Sequence, residues 1–359
     1  MTYAIAAAGT GGHVYPGLAV GEALVEAGVQ RSSVLFVGGD RLEATVYPRA
    51  GFPFLGVELR GLKRRMAASN LGIPAVVVRA MREMRTEFAA RGVCAVLGMG
   101  GYVTVPAAIA ARRVGARLAI AEQNANAGLA NRVSALLANR RFASFQDTRG
   151  LRDHIWTGNP IRKALVAFDR ESLRPLAIER YGLEAGLPVV GVFGGSLGAG
   201  AINQAVVGMV QGWSGPPIQL LQLAGSIHAE AMEAEARKQE MIWKVIGFED
   251  RMDMFFAAAD LVISRAGGAV AELLATGSPS ILVPGDFGSG GHQRANAAVL
   301  LAAGAAAIVP QTDLASLGSV VADLVASPER LAAMRAGAGT IARPLAAQTV
   351  AREMMALHG

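Results

Sequence analysis

The sequence predicts an α/β protein built from two Rossmann-like domains in tandem, and three observations predict it. Short runs rich in Val, Ile and Ala alternate with longer stretches of helical periodicity, the pattern of strand-helix repeats that assemble a parallel sheet. The pattern runs twice, each time opening on an apolar strand, a glycine-rich turn and a helix: Ala8-Gly9-Thr10-Gly11-Gly12, then Phe193-Gly194-Gly195-Ser196-Leu197-Gly198. The length of 359 residues fits two domains at roughly 100 to 200 residues each.

In order along the chain, the first series places strands at 3–8, 33–37, 54–58, 94–98, 117–121 and 141–145, with helices between them. The join falls near Gly158-Asn159-Pro160, because proline stops a helix and biases its predecessor toward extended backbone, which gives domains 1–160 and 161–342. The second series places strands at 189–193, 218–223, 244–247, 261–264, 280–283 and 305–309, followed by terminal helices over about 314–336. After Pro344 a last amphipathic stretch, 345–357, reads as a helix.

Composition narrows the function classes. At 52% hydrophobic and 17% charged residues the chain buries a large core and is not disordered. Its single cysteine, Cys94, forms no intrachain disulfide and sits in an apolar run, which suits a buried structural thiol and a reducing cytosol. The N-terminus carries no basic stretch ahead of a secretory apolar core, so no signal peptide is expected. The longest apolar run, 297–309, falls short of the roughly 18 residues a spanning helix needs and reads as a buried helix passing into a strand. The net charge of +6 suits nucleic acid, anionic lipid or a phosphorylated substrate. With aromatics at 6% and no basic-aromatic cluster, nucleic acid ranks last.

A strand that enters a helix through glycines lets backbone N–H groups and the helix N-terminus approach a diphosphate, although tight packing alone also demands glycine there. No Gly-Lys-Ser/Thr follows either turn, which argues against a P-loop hydrolase. The spacing Gly9-x-Gly11-Gly12 and the strand end Val37-Gly38-Gly39-Asp40 fit a dinucleotide site poorly, even with Asp40 offered to a ribose. His13 stands just inside the first turn, before Pro16, where an imidazole serves as general base or as a polar cap. The five histidines show no metal-ligand spacing. Gly98-Met99-Gly100-Gly101-Tyr102, Ser264-Arg265-Ala266-Gly267-Gly268 and Glu122-Gln123-Asn124 also end strands, where open α/β sheets carry ligand contacts.

Taken in order, Gly9 to Gly17, Gly98 to Pro106, Glu122-Gln123-Asn124, Gly158-Asn159-Pro160-Ile161-Arg162, Gly194 to Ala199 and His292-Gln293-x-x-Asn296-Ala297 resemble the successive motifs of the MurG family. These bacterial transferases move N-acetylglucosamine from UDP onto undecaprenyl-diphospho-muramoyl-pentapeptide, giving lipid II for peptidoglycan, cell shape and division. The resemblance implies a GT-B fold, two Rossmann-like domains facing across a cleft with residues 343–359 returning to the first, inversion at the anomeric carbon and no obligatory metal. It implies a peripheral enzyme on the cytoplasmic face of the cell membrane. Carried over by motif, Arg162 and Ser196 contact the diphosphate, Glu272 the ribose, and Gln293 with His292 the sugar hydroxyls. Thr10, Gly11, Gly12, Tyr102 and Asn124 bind from the N-terminal domain, and His13 or Glu122 is the base. Three departures from the family pattern stand out: the Arg265 to Glu272 loop is one residue shorter and lacks a threonine, Ala121 replaces a common histidine, and His292 replaces a glutamine.

A lipid-linked acceptor calls for docking to an anionic bilayer. Arg60, Lys63, Arg64 and Arg65 precede a helix starting near Pro74, in which Val77, Val78, Met81, Met84 and Phe88 alternate with Arg79, Arg82 and Arg85. Such a basic amphipathic helix lies on lipid, or buries its apolar side in the core. The competing function classes are a UDP-N-acetylglucosamine 2-epimerase on the same architecture, a nicotinamide-dependent oxidoreductase, and a catalytically silent sugar-nucleotide binding module.

Overall fold

The computed structural model describes residues 1–59, 73–195, 199–285 and 291–357. It divides into two compact units, Met1–Arg162 with Pro344–Gly359, and Lys163–Arg343. The border lies just past the expected join, so Arg162, assigned by motif to the second domain, belongs to the first unit. The reason is burial: Thr157, Asn159 and Ile161 are each at most 5% exposed, so the chain runs through the proline still packed in the first unit.

The first unit runs β1 (Thr2–Ala6), α1 (Gly11–Glu26), β2 (Val34–Gly38), α2 (Glu43–Arg49), β3 (Phe54–Gly56), α3 (Ile73–Ala90), β4 (Val93–Gly98), α4 (Thr104–Arg113), β5 (Arg117–Glu122), α5 (Leu129–Ser134), β6 (Arg140–Ala143) and β7 (Ile155–Trp156). Its sheet has the order β3-β2-β1-β4-β5-β6-β7, with every pair parallel. Side chains alternate across the strands as the pleat requires. Tyr3, Ile5 and Ala7 join Val20 and Leu24 of α1 on one face, and Ala4, Ala6 and Ala8 join the helices on the other. β7 was not foreseen, since two residues give no periodicity, and β3 ends at Gly56 rather than 58.

Helix α3 corrects one expectation. Met84 and Phe88 are fully buried against the sheet, with Val77 and Met81 packed beside them, so most of the apolar stripe faces the core, while Val78 is 40% exposed. Full burial stabilises such side chains by about 1.5–3 kcal/mol each. Arg79, Arg82 and Arg85 lie on the exposed side. Arg60, Lys63, Arg64 and Arg65 lie outside the described residues.

The second unit runs α6 (Arg170–Tyr181), β8 (Val189–Phe193), α7 (Gly200–Gln211), β9 (Gln219–Leu223), α8 (Ala229–Ala236), β10 (Trp243–Ile246), α9 (Met252–Ala258), β11 (Leu261–Ser264), α10 (Val270–Ala275), β12 (Ser280–Leu282), α11 (His292–Ala302), β13 (Ala306–Ile308), α12 (Leu317–Val325) and α13 (Pro328–Ile341). Its parallel sheet has the order β10-β9-β8-β11-β12-β13. Helix α6 shows the local logic at both ends. Asp169 accepts the Glu171 and Ser172 amides at 3.0 and 3.4 Å, and Gly182 closes the helix in the left-handed region. The last helix, α14 (Ala346–Ala356), packs on α1 of the first unit, with Val350, Ala351 and Met354 in its core.

Candidate active site

In an open parallel sheet the ligand crevice forms where strand order reverses, outside the carboxyl ends of the strands. In the first unit that point lies between β1 and β4, so the turns after Ala6 and after Gly98 flank it. In the second it lies between β8 and β11, flanked by the turns after Phe193 and after Ser264. The glycine-rich motifs occupy these four turns.

In the first unit Thr10 is the residue preceding α1, yet its side chain does not cap the helix. Instead its hydroxyl lies 3.1 Å from Nδ1 of His13, in the helix's first turn. A threonine that leaves a helix end uncapped in order to hold an imidazole breaks a local stability rule, as functional residues do. The ring packs on the turn after β4: a Cβ at Gly100 would stand 3.1 Å from Nε2 of His13, and Gly100 has φ +92°, so only glycine suits this place. Arg162 lies with its guanidinium 5.0 Å from the centre of the Tyr15 ring on α1, which brings a cation beside the same turn.

Glu122, at the end of β5, is 2% exposed. Its Oε1 accepts the main-chain and side-chain N–H groups of Asn124, both at 2.9 Å, and its Oε2 accepts Gly128 N–H at 3.0 Å and Asn131 Nδ2 at 2.8 Å. Four donors on two oxygens engage the carboxylate fully and shape the loop that carries Asn124. Tyr102 donates its hydroxyl to Oε1 of Glu43 at 3.1 Å. Burial first, then the Glu43 charge, pushes the phenol well above its ordinary range, so it stays protonated.

In the second unit Gly194 and Gly195 follow β8, while Ser196 lies outside the described residues. Glu272 stands in the first turn of α10, and His292 and Gln293 open α11, so all three follow strands adjacent in the sheet, β11 and β12. Gln293 Oε1 accepts the Gly285 amide at 2.8 Å, which ties α11 to the turn after β12. Arg265, 7% exposed, donates to the Val283 carbonyl at 3.1 Å and to Gln311 at 2.6 Å, and Asn296 donates to the Ala266 carbonyl at 3.0 Å. The shortened loop is thus braced from two sides.

In the first unit Thr10, Gly11, Gly12, His13 and Tyr102 stand at the switch point, Arg162 beside α1, and Glu122 and Asn124 at the end of the next strand, β5; in the second, Glu272 follows β11 at the switch point, and His292 and Gln293 follow its neighbour β12. Residues that sequence reasoning missed are Glu43 and Asn131, which contact candidates from positions without a motif of their own; Tyr15 lies within the Gly9 to Gly17 motif, which assigns it no role. Among the described residues no three His, Cys, Asp or Glu side chains gather as a metal site requires.

Residues 3–143 match the N-terminal domain of glycosyltransferase family 28, and residues 189–350 its C-terminal domain. The chain is 40% identical, over 98% of its length and 96% of the relative's, to the UDP-N-acetylglucosamine–N-acetylmuramyl-(pentapeptide) pyrophosphoryl-undecaprenol N-acetylglucosamine transferase of Halorhodospira halophila. It is 36% identical to the transferase of the same name from Burkholderia multivorans, covering 100% of this chain and 96% of that one. Among solved structures it is similar to Acinetobacter baumannii MurG, with TM-score 0.79 and 26% identity over 99% of this chain and 100% of that one. A UDP-GlcNAc 2-epimerase from Neisseria meningitidis, at TM-score 0.69 and 13% identity over 99% and 100% of the two chains, is a likeness of fold alone.

Proposed function

The chain belongs to glycosyltransferase family 28, and from that premise we propose that it transfers N-acetylglucosamine from UDP-N-acetylglucosamine to the muramoyl sugar of a polyprenyl-diphosphate-linked pentapeptide acceptor, making lipid II for peptidoglycan. The observation that carries this reading is the near full-length likeness to transferases of that name, including the one at 40% identity. The epimerase has only a likeness of fold on its side.

The chemistry is an inverting displacement. The acceptor hydroxyl attacks the anomeric carbon, a C–O bond forms, and the bond to UDP breaks with its electron pair passing to the diphosphate. His13 takes the hydroxyl proton; its imidazole is held by Thr10 at the mouth of the first switch point, whereas the Glu122 carboxylate is engaged by four donors. Backbone N–H groups of the glycine turns, Ser196 and Arg162 stabilise the charge of leaving UDP without an obligatory metal. Glu272 holds the ribose, Gln293 and His292 hold the sugar hydroxyls, and Thr10, Gly11, Gly12, Tyr102 and Asn124 contribute from the first unit.

The enzyme acts as a peripheral protein on the cytoplasmic face of the cell membrane, and nucleic acid is no partner. Support comes from the first unit's surface. Leu129, Val133 and Leu136 on and just after α5 are 74%, 45% and 83% exposed, beside exposed Arg132 in the same helix. Helix α4 packs against both α5 and α3, whose outer side carries Arg79, Arg82 and Arg85. Apolar side chains among cations suit an anionic bilayer. Among the described residues no helix is long and apolar enough to cross a membrane.

The test incubates the protein with labelled UDP-N-acetylglucosamine in EDTA, with and without a short-chain lipid I analogue. Label reaching lipid only when the analogue is present, and despite EDTA, is the expected result. A new UDP-sugar formed without acceptor would instead mark an epimerase.

A further inference from the structure

The segment Val37-Gly38-Gly39-Asp40 fits no nucleotide motif, and Asp40, the acid it offers, points to solvent. The acid that matters comes three residues later. Glu43, in the first turn of α2, is 0% exposed, and among the described residues no Lys or Arg pairs with it. A buried carboxylate with no cation is costly unless donors satisfy it. Here three do. Oε1 accepts the Gly39 amide at 3.0 Å and the Tyr102 hydroxyl at 3.1 Å, and Oε2 accepts the Gly9 amide at 3.3 Å.

These three donors come from the turns after β2, β4 and β1, and the glycine pair makes room for the arrangement. A Cβ at Gly38 would stand 2.6 Å from Cγ of Glu43, and one at Gly39 would stand 2.2 Å from the Tyr102 hydroxyl oxygen. Two of the three held segments touch His13. Gly9 leads directly into Thr10, whose hydroxyl meets Nδ1 of His13 at 3.1 Å. Tyr102 is preceded by Gly100 and Gly101, and the Cβ positions of these glycines would lie 3.1 Å from Nε2 and 4.0 Å from Nδ1 of the same imidazole.

We propose that Glu43 is a positioning residue for the transfer reaction, a buried carboxylate that fixes the Gly9 turn and Tyr102 together and through them sets the place of His13. This rests on the transferase reading above. All three partners donate, so only a group with acceptors on both arms serves. The amide of Glu43→Gln keeps the size but turns an N–H toward one donor, either the Gly9 amide or the Gly39–Tyr102 pair. The turn on that side is released.

The experiment is a double-mutant cycle between Glu43→Gln and His13→Ala, with kcat and the KM for UDP-N-acetylglucosamine measured on the lipid I analogue. Expected for Glu43→Gln alone is a kcat loss of about tenfold or more with the UDP-sugar KM within about twofold of the parent. In the His13→Ala background the further loss shrinks to less than about threefold, because the group being positioned is gone. An equal loss in both backgrounds, or no loss in either, overturns the proposal. Should Glu43→Gln fail to fold, Tyr102→Phe removes one donor only, and the same non-additivity with His13→Ala is expected at smaller size. Amide hydrogen exchange separates the two readings if the parent enzyme transfers nothing. Faster exchange confined to residues 9–13 and 99–103 in Glu43→Gln upholds the clamp while the transferase reading falls; unchanged exchange there overturns the clamp.

Discussion

The two units share a parallel, doubly wound sheet, yet their carboxylates differ in whether arginine takes part in holding them. In the first unit Glu43, opening α2, and Glu122, at the end of β5, take neutral donors: main-chain amides, asparagine side chains and a phenol. In the second, the partly exposed Asp260 takes Arg170 and Arg174 at 2.7 and 2.8 Å, Asp253 takes Arg251 at 2.7 Å, and Glu249 takes Arg180 at 3.2 Å beside the Tyr181 hydroxyl and the Arg251 amide, both at 2.8 Å. Asp260 sits just before β11, at the end of the sheet opposite the switch point, and also accepts the Val189 amide at 2.9 Å. The difference teaches that a carboxylate fed by amides shapes a loop, because each amide it holds fixes one residue's backbone. The arginines of Asp260 add something different, a tie from helix α6 to the start of β11.

The comparison breaks most visibly at His13. His13→Ala is expected to lower turnover by about 10²- to 10⁴-fold, the usual worth of a general base, with the melting temperature nearly unchanged. Steady-state rates beside a thermal melt check it, and near-parent turnover would remove the imidazole from the mechanism. Next comes Glu122→Ala, which strands four donors around the 124–131 loop. We expect roughly 3 kcal/mol of destabilisation together with a loss of turnover greater than unfolding explains. Denaturant titration set against the rate per folded molecule separates the two.

Asp260→Ala sharpens the contrast from the other unit. Losing two partly exposed arginine pairs should cost roughly 1–2 kcal/mol and leave kcat per folded molecule at the parent level. A change in kcat would mean that this rear cluster reaches the site. The smallest effect is on pH. The Arg251 hydrogen bond holds the Asp253 carboxyl below its ordinary value despite its burial. A depressed carboxylate stabilises the fold above its unfolded value of about 3.9, and that contribution is lost as pH falls through its lower folded value. The parent should therefore lose stability on acidification below about pH 4 faster than Asp253→Asn, as melts across that range would record.

How much of this was legible in the sequence follows the same division. The strand-end glycines, His13 and the Glu122-Gln123-Asn124 run announce themselves, because few residue types tolerate those positions and apolar runs frame them. Strand β7 does not, since its two residues include Ile155 at 37% exposure and carry no period. Helix α3 is plainly amphipathic, but periodicity states only that one side is apolar, and whether lipid or sheet covers it is a tertiary fact. Glu43 is the clearest loss. In a Leu-Glu-Ala stretch it looks like any acid opening a helix, and its partners at Gly9 and Tyr102 are 34 and 59 positions away in the chain.

The return of α14 has a consequence for biosynthesis. Val350, Ala351 and Met354 complete a core whose other members begin at Tyr3, so the first unit stays open while the whole second unit is being made. Emerging from the ribosome, β1 and α1 expose an apolar face that Phe36, Tyr47 and Phe52 cover in part and that Ala346–Ala356 later closes. The nascent chain thus passes through a stage in which a folded second unit hangs from an unfinished first, the stage at which chaperones have most to shield. A premature stop just after Ile341 would leave that face open for good.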